Sequence, residues 1–182
     1  MLNHLAKILP IFLISVLLVA CHKAPSLDKA LALKLLDSSY LSSGYTINLV
    51  TNNPHARGKK ATGWNCADKK SLVSSGVVLC KESGRSGVYL KFTSEGEKLL
   101  VGSPWGDNTL RNARVIAVLQ QVDEVQSIEM IDASHAIINY TWLYNQHTPF
   151  SNPQLEKTIA LNVPQPARAS AVLNDNEWTI IR

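Results

Sequence analysis

The feature that most constrains the fold of this chain is an apolar run that cannot belong to it. Ile8 to Ala20 is an apolar, uncharged stretch of 13 residues with Lys7 before it and Pro10 inside it. A helix needs about 20 consecutive apolar residues to cross the hydrocarbon core of a bilayer, so this run is too short to span. A short positive start, an apolar centre and a small residue before a cysteine make a targeting segment that is removed. Folding therefore begins at Cys21, and about 160 of the 182 residues are left to build a core. That length suits one core or two small ones.

The four residues Leu18-Val19-Ala20-Cys21 resemble the lipobox of bacterial lipoprotein precursors: an aliphatic residue, a tolerant position, a small residue and the cysteine that becomes the lipidated first residue. The resemblance implies a signal peptide over residues 1–20, lipidation at Cys21, and a short tether over 21–26. More than one acyl chain gives stable anchoring, because each buried methylene contributes about 0.8 kcal/mol. His22 stands where inner-membrane lipoproteins of the enterobacterial type usually carry Asp, so the resemblance favours the periplasmic face of the outer membrane. The alternative is an ordinary secretory signal cleaved near Ala20, with Cys21 left as a thiol. Both place the mature chain outside the cytoplasm.

With Cys21 assigned to lipid by that resemblance, Cys66 and Cys80 remain, in an oxidising compartment. A disulfide between them is expected. Their spacing is not Cys-x-x-Cys, which argues against a redox pair, and too few ligands cluster for zinc. The formal charge of +4 includes Lys7, so the mature body is near +3. Arg57, Lys59, Lys60, Lys69 and Lys70 gather in one region, interrupted by Asp68. That reads as a solvated basic loop, with anionic headgroups or cell-wall polymers as the alternative contact; a nucleic-acid partner is not expected.

Leu27 to Leu41 has the apolar period of an amphipathic helix, with Ser26 placed to cap it, Asp28 in its first turn and Gly44 at its stop. Tyr45 to Val50 reads as a short strand, and Thr51 to Gly63 as a loop broken at Asn52-Asn53-Pro54. Leu72 to Val78 suggests a glycine-terminated helix running into a strand. A turn over Glu82 to Gly87 then leads to a return strand, Val88 to Phe92. Ser94 and Glu97 have capping-box spacing for a short helix. This order, with Phe92-Thr93-Ser94-Glu95-Gly96, is similar to the wing and following helix of winged-helix domains, where the pattern carries Leu in place of Phe92. The similarity covers about 30 residues, and in a lipid-anchored protein it implies a protein-interaction module.

Gly102 to Asn108 is a second break and the best candidate boundary, dividing a 27–105 α+β portion from a 106–182 β portion, within one continuous domain or between two. Five segments beyond it are rich in β-branched and aromatic residues: Arg114 to Leu119, Val125 to Ile131, Ala136 to Tyr144, Lys157 to Val163, and Ala169 to Leu173. Glu177 to Ile181 closes the chain after a turn at Asn174-Asp175-Asn176. The expected fold class is α+β: an N-terminal helix and a disulfide-stapled hairpin, followed by an antiparallel β-meander.

The sequence points away from an enzyme. It has no Gly-x-Ser-x-Gly, phosphate loop, His-Glu-x-x-His or acidic metal loop, and no metal or cofactor is expected. Asp132-Ala133-Ser134-His135 joins three catalytic residue types, but sequence neighbours seldom form a triad, so the segment reads as a turn. Among the tryptophans, Trp142 and Trp178 suit a core, with Tyr140, Trp142 and Tyr144 on one strand face. Trp64 is placed to pack near the disulfide. Trp105, in a Gly/Pro turn, is the first candidate anchor for a partner, with Trp64 second. Three functions stay open. The first is a non-catalytic, lipid-anchored accessory subunit that binds an envelope protein. The second is a binder of a small molecule, lipid or glycan. The third is an envelope hydrolase, which needs His135 or His147 to converge with an acid or Ser in a cleft.

Overall fold

A computed structural model of the chain describes residues 25–40, 43–56, 61–83 and 87–181. The signal segment, Cys21, His22, the tether up to residue 24, Arg57, Lys59, Lys60 and the centre of the turn at 84–86 lie outside the described residues. Helix α1 (Lys29–Tyr40) is followed by strands β1 (Gly44–Val50) and β2 (Asn52–Asn53). A 3-10 turn, Cys66–Lys69, leads into helix α2 (Lys70–Ser74), then the strands β3 (Val78–Ser83) and β4 (Gly87–Phe92) and helix α3 (Ser94–Glu97). The second half holds β5 (Trp105–Gly106), β6 (Arg111–Met130), β7 (His135–His147), helix α4 (Pro153–Thr158), β8 (Gln165–Asn174) and β9 (Glu177–Ile181). The architecture is α+β, as the sequence suggests. Among the described residues no helix is long and apolar enough to cross a membrane.

Two antiparallel sheets organise these elements. The larger runs β1-β6-β7-β8-β9, with β5 also paired to β6; the smaller runs β2-β4-β3. The second half is therefore the expected meander, and β1 joins it by pairing along β6 from Gly44↔Leu119 to Val50↔Asn112. Helix α1 covers one face of the large sheet. Ala32 and Leu36 are fully buried there against Val122, Val125, Ile138, Tyr140 and Trp178. A second core lies under the small sheet, where Leu72, Val78 and Leu90 meet Ala113, Val115 and Phe150. Strand β6 thus supplies both cores, with Ala113 and Val115 to one and Val122 and Val125 to the other.

Local chemistry explains the element ends. Helix α1 is capped by Asp28, whose Oδ1 accepts from the Leu31 amide at 2.8 Å, and not by Ser26; a carboxylate there also faces the positive helix end. Helix α3 is capped one residue earlier than its spacing suggests. Thr93 Oγ1 accepts from Gly96 N at 3.2 Å and donates to Gly76 O at 2.6 Å. Gly96 is needed at this junction because a Cβ would collide with the Val77 carbonyl. Asp175 and Asn176 take the left-handed conformation (φ 48° and 64°), which makes the two-residue turn between β8 and β9 that the Asn-Asp-Asn run signals.

Two of the strand expectations fail, each for a definable reason. Arg114 to Leu119 and Val125 to Met130 belong to one strand, because Asp123 and Gln126 are bulge residues skipped in the register with β7, and Ile131 lies in the turn beyond it. The bulges let Val122 and Val125 both face inward across a polar stretch that otherwise looks like a turn. Lys157 to Val163 is not a strand. Asn152 caps α4 through the Gln154 and Leu155 amides, Pro153 begins it, and Asn162 at φ 59° breaks the alternation that follows. The expected loop from Thr51 also contains β2. Trp178 is buried; Trp142 is half-buried against the α1 core and stacks edge-on with Tyr144, ring centroids 5.2 Å apart.

Cys66 and Cys80 are bonded, with their Cα atoms 5.7 Å apart, and tie the 3-10 turn to β3. Replacing both by Ala is expected to lower stability by about 3 kcal/mol through the loop closure lost from the unfolded chain, read from urea denaturation of the oxidised parent and the variant.

Candidate functional site

The segment Gly102 to Leu110 folds back on the start of β6. Trp105 pairs with Asn112, and Gly106 with Arg111. Gly106 adopts φ 101°, and a Cβ there would collide with the Leu110 carbonyl, so the turn closes only with glycine. Asp107 stitches it internally by accepting from the Thr109 amide at 2.7 Å, the Leu110 amide at 3.1 Å and the Thr109 hydroxyl. Those bonds hold its carboxyl below its ordinary range, the Thr109 hydroxyl contributing most.

The turn is fastened to the body by a buried residue from a segment that has the composition of a loop. Asn52, 8% exposed, accepts from the Arg111 amide at 2.6 Å and donates to the Asn108 carbonyl at 2.8 Å. Asn53 does the same on the other side, donating to the carbonyls of Thr62 and Trp64, each at 2.7 Å, and accepting from the His55 amide. Asn52 therefore substitutes for a strand partner and fixes the height of the Trp105 turn over the sheet.

On this base Trp105 is 44% exposed and Leu110 53%. Val50 lies in the same cross-strand row, because Asn112 pairs with Val50 on one side and Trp105 on the other. Directly paired antiparallel residues share a face, so Trp105 and Val50 flank Asn112 on one surface, with Arg114 and Asn48 the next exposed pair along it. The sequence singled out Trp105 through its Gly/Pro context. Leu110 and Val50 carry no local signal, since their exposure follows from register.

Trp64 is placed differently. It is half-buried against the second core, as Cys80 is, with the Lys69 ammonium 5.3 Å from its ring centroid. Its indole N–H is buried without an acceptor among the described residues.

The histidine candidates do not form a nucleophile site in this arrangement. Asp132, Ser134 and His135 do come together, in the turn between β6 and β7. Both Asp132 (2.9 Å) and Ser134 (3.1 Å) meet the same ring nitrogen, Nδ1. A triad needs the serine at the opposite nitrogen. Asp132 also accepts from the amides of Ser134 and His135, which makes the group a turn clasp half-open to solvent. The Ser134 amide first, and then His135, hold its carboxyl at about 2 against an ordinary 3.8. His147 Nδ1 lies 2.9 Å from Ser151 Oγ, and no carboxylate bonds to it among the described residues. Among the same residues no three His, Cys, Asp or Glu side chains converge as metal ligands.

Open clefts complete the surface. One of about 330 Å³ lies between α1 and the sheet, beside Leu36, Tyr140, Arg168 and Ile181; another of about 320 Å³ lies beside Trp142, Tyr144 and Val163. Both are at the lower limit of small-molecule sites, roughly 300–1,000 Å³.

Two outcomes follow from this geometry. Asn52→Ala leaves the Arg111 amide and the Asn108 carbonyl without their partner. It should cost about 1–3 kcal/mol and accelerate hydrogen exchange at Arg111 relative to Val115. For the clasp, a carboxyl held below its unfolded value stabilises above the unfolded value and loses that contribution as pH falls through the folded one. The Ser134 and His135 amide shifts should therefore show an acid transition with a midpoint near 2, below the ordinary 3.8 of a free aspartate. In comparisons with known proteins, no family model matches the chain, and no curated protein or solved structure is significantly similar to it.

Proposed function

We propose that this protein is a lipid-anchored periplasmic lipoprotein that serves as a non-catalytic accessory subunit of an envelope assembly, docking a partner protein through Trp105. The supporting observation is the Trp105 turn itself. A large aromatic side chain is left 44% exposed on a turn that buried Asn52 holds rigidly from below. The backbone of that turn is already held before a partner binds, and Trp is a favoured interface anchor. Val50, in the same cross-strand row, and Leu110, in the same turn, are further exposed apolar side chains, and Arg114 borders the Trp105–Val50 row with positive charge. The partner chemistry that fits is an apolar pocket with an acidic rim. The lipobox-like Leu18-Val19-Ala20-Cys21 supplies the anchor and, with His22, favours the outer membrane.

The test is a photoreactive residue at position 105, with a control at Lys157 on α4, crosslinked in intact cells of the native host. A discrete protein adduct is expected from position 105 alone. Adducts in equal yield from both positions, or none from either, would refute docking through Trp105 and turn attention to ligands of the two clefts.

A further inference from the structure

The N-terminal end of the described chain is pinned at one definite place. The Trp178 indole N–H donates to the Pro25 carbonyl at 2.8 Å, so the start of the chain is fastened beside β9. Trp178 pairs with Leu173, and the Leu173 amide donates to the Ser134 carbonyl at 2.8 Å. The β8–β9 turn and the β6–β7 turn therefore lie side by side at the same end of the large sheet as Pro25.

That end carries exposed apolar side chains. Met130 is 51% exposed, and Ile131 is 62% exposed at the tip of the β6–β7 turn. The Asp132 clasp and the Ile131 N–H to His135 O bond of 2.9 Å hold the tip in shape. From Cys21 to Pro25 there are four residue steps, which reach at most about 14 Å when fully extended. Lipid on Cys21 would thus keep this end of the sheet within a short distance of the headgroups.

We infer that Ile131 and Met130 rest in the headgroup region of the same bilayer that holds the Cys21 lipid. The inference depends on the lipid-anchor reading proposed above. The lipid fixes one point of the body and the turn a second, which sets its orientation. Charge selects the kind of surface. Glu129 is matched by Arg168 at 3.7 Å, while Asp132, Asp175 and Glu177 add negative charge nearby. A zwitterionic phospholipid surface fits this end better than a strongly anionic one. Two exposed apolar side chains are too few to bind a bilayer alone, and they act because the tether holds them at its surface. The Trp105 turn lies at the opposite end of β6 and faces away from the membrane.

The lipidated mature protein, beginning at Cys21, is reconstituted in phosphatidylethanolamine–phosphatidylcholine vesicles, with an environment-sensitive fluorophore on Ile131→Cys or on Ser103→Cys beside Trp105. Expected are a blue-shifted emission and quenching by headgroup-labelled spin lipids at 131, and water-like, unquenched emission at 103. A Cys21→Ala protein labelled at 131 should show neither effect. Vesicle flotation separates the two ideas. Protein that floats but is unquenched at 131, or is quenched equally at 103, overturns the orientation alone. Protein that fails to float overturns the anchor and the orientation together.

Discussion

The structure depends on one residue at which the chain changes sheets. The Thr51 amide donates to the Arg111 carbonyl in the large sheet at 2.8 Å, and its own carbonyl accepts from Leu90 in the small sheet at 2.7 Å. Its hydroxyl adds a second bond to Arg111 O at 3.1 Å. Thr51, Asn52 and Asn53 are all buried, and a buried backbone must have every polar group paired. The asparagine amides meet that demand where no strand neighbour can, one towards the Trp105 turn and the other towards the segment before the disulfide. Gly87 takes part by allowing close approach, since a Cβ there would collide with the Asn53 carbonyl.

This junction explains why two modest cores behave as one body. β1 and β2 are nearly continuous, yet each belongs to a different sheet, and β6 runs under both cores. The second core is closed from the far side by the turn after β7. Buried Thr148 donates to the Ile116 carbonyl at 2.6 Å, and Phe150 reaches Phe92 with ring centroids 6.0 Å apart. The disulfide then holds the 3-10 turn and α2 against β3, where few apolar residues are available to do so.

The parts of the fold legible in the sequence are those set by neighbours in the chain. The Asn-Asp-Asn turn, the amphipathic period of α1, the β3–β4 hairpin and the Cys66–Cys80 pair all have local or arithmetic signals. Asn52 has none, because its partners lie 56 and 59 residues away and an Asn-Asn-Pro run has the composition of a loop. The long β6 was hidden for a related reason. Bulges at Asp123 and Gln126 break the alternation by which a strand is recognised, and only pairing with β7 reveals that it continues. At the site, Trp105 was visible from its Gly/Pro setting, whereas Val50 and Leu110 emerge only from cross-strand register. Asp132 to His135 shows the opposite limit. Its residues meet as their proximity suggests, but both contacts fall on one ring nitrogen, which no spacing could foretell.

The bond from Trp178 to Pro25 also has a mechanical consequence. Pro25 and the Trp105 turn sit at opposite ends of β6, a strand of 20 residues about 60 Å in contour. A pull between them is directed along the strands, so it loads the ladders flanking β6 in shear, with many hydrogen bonds sharing the force together. The same pull across the strands would open the ladders one bond at a time. A body built this way transmits tension stiffly from its chain start to its exposed tryptophan.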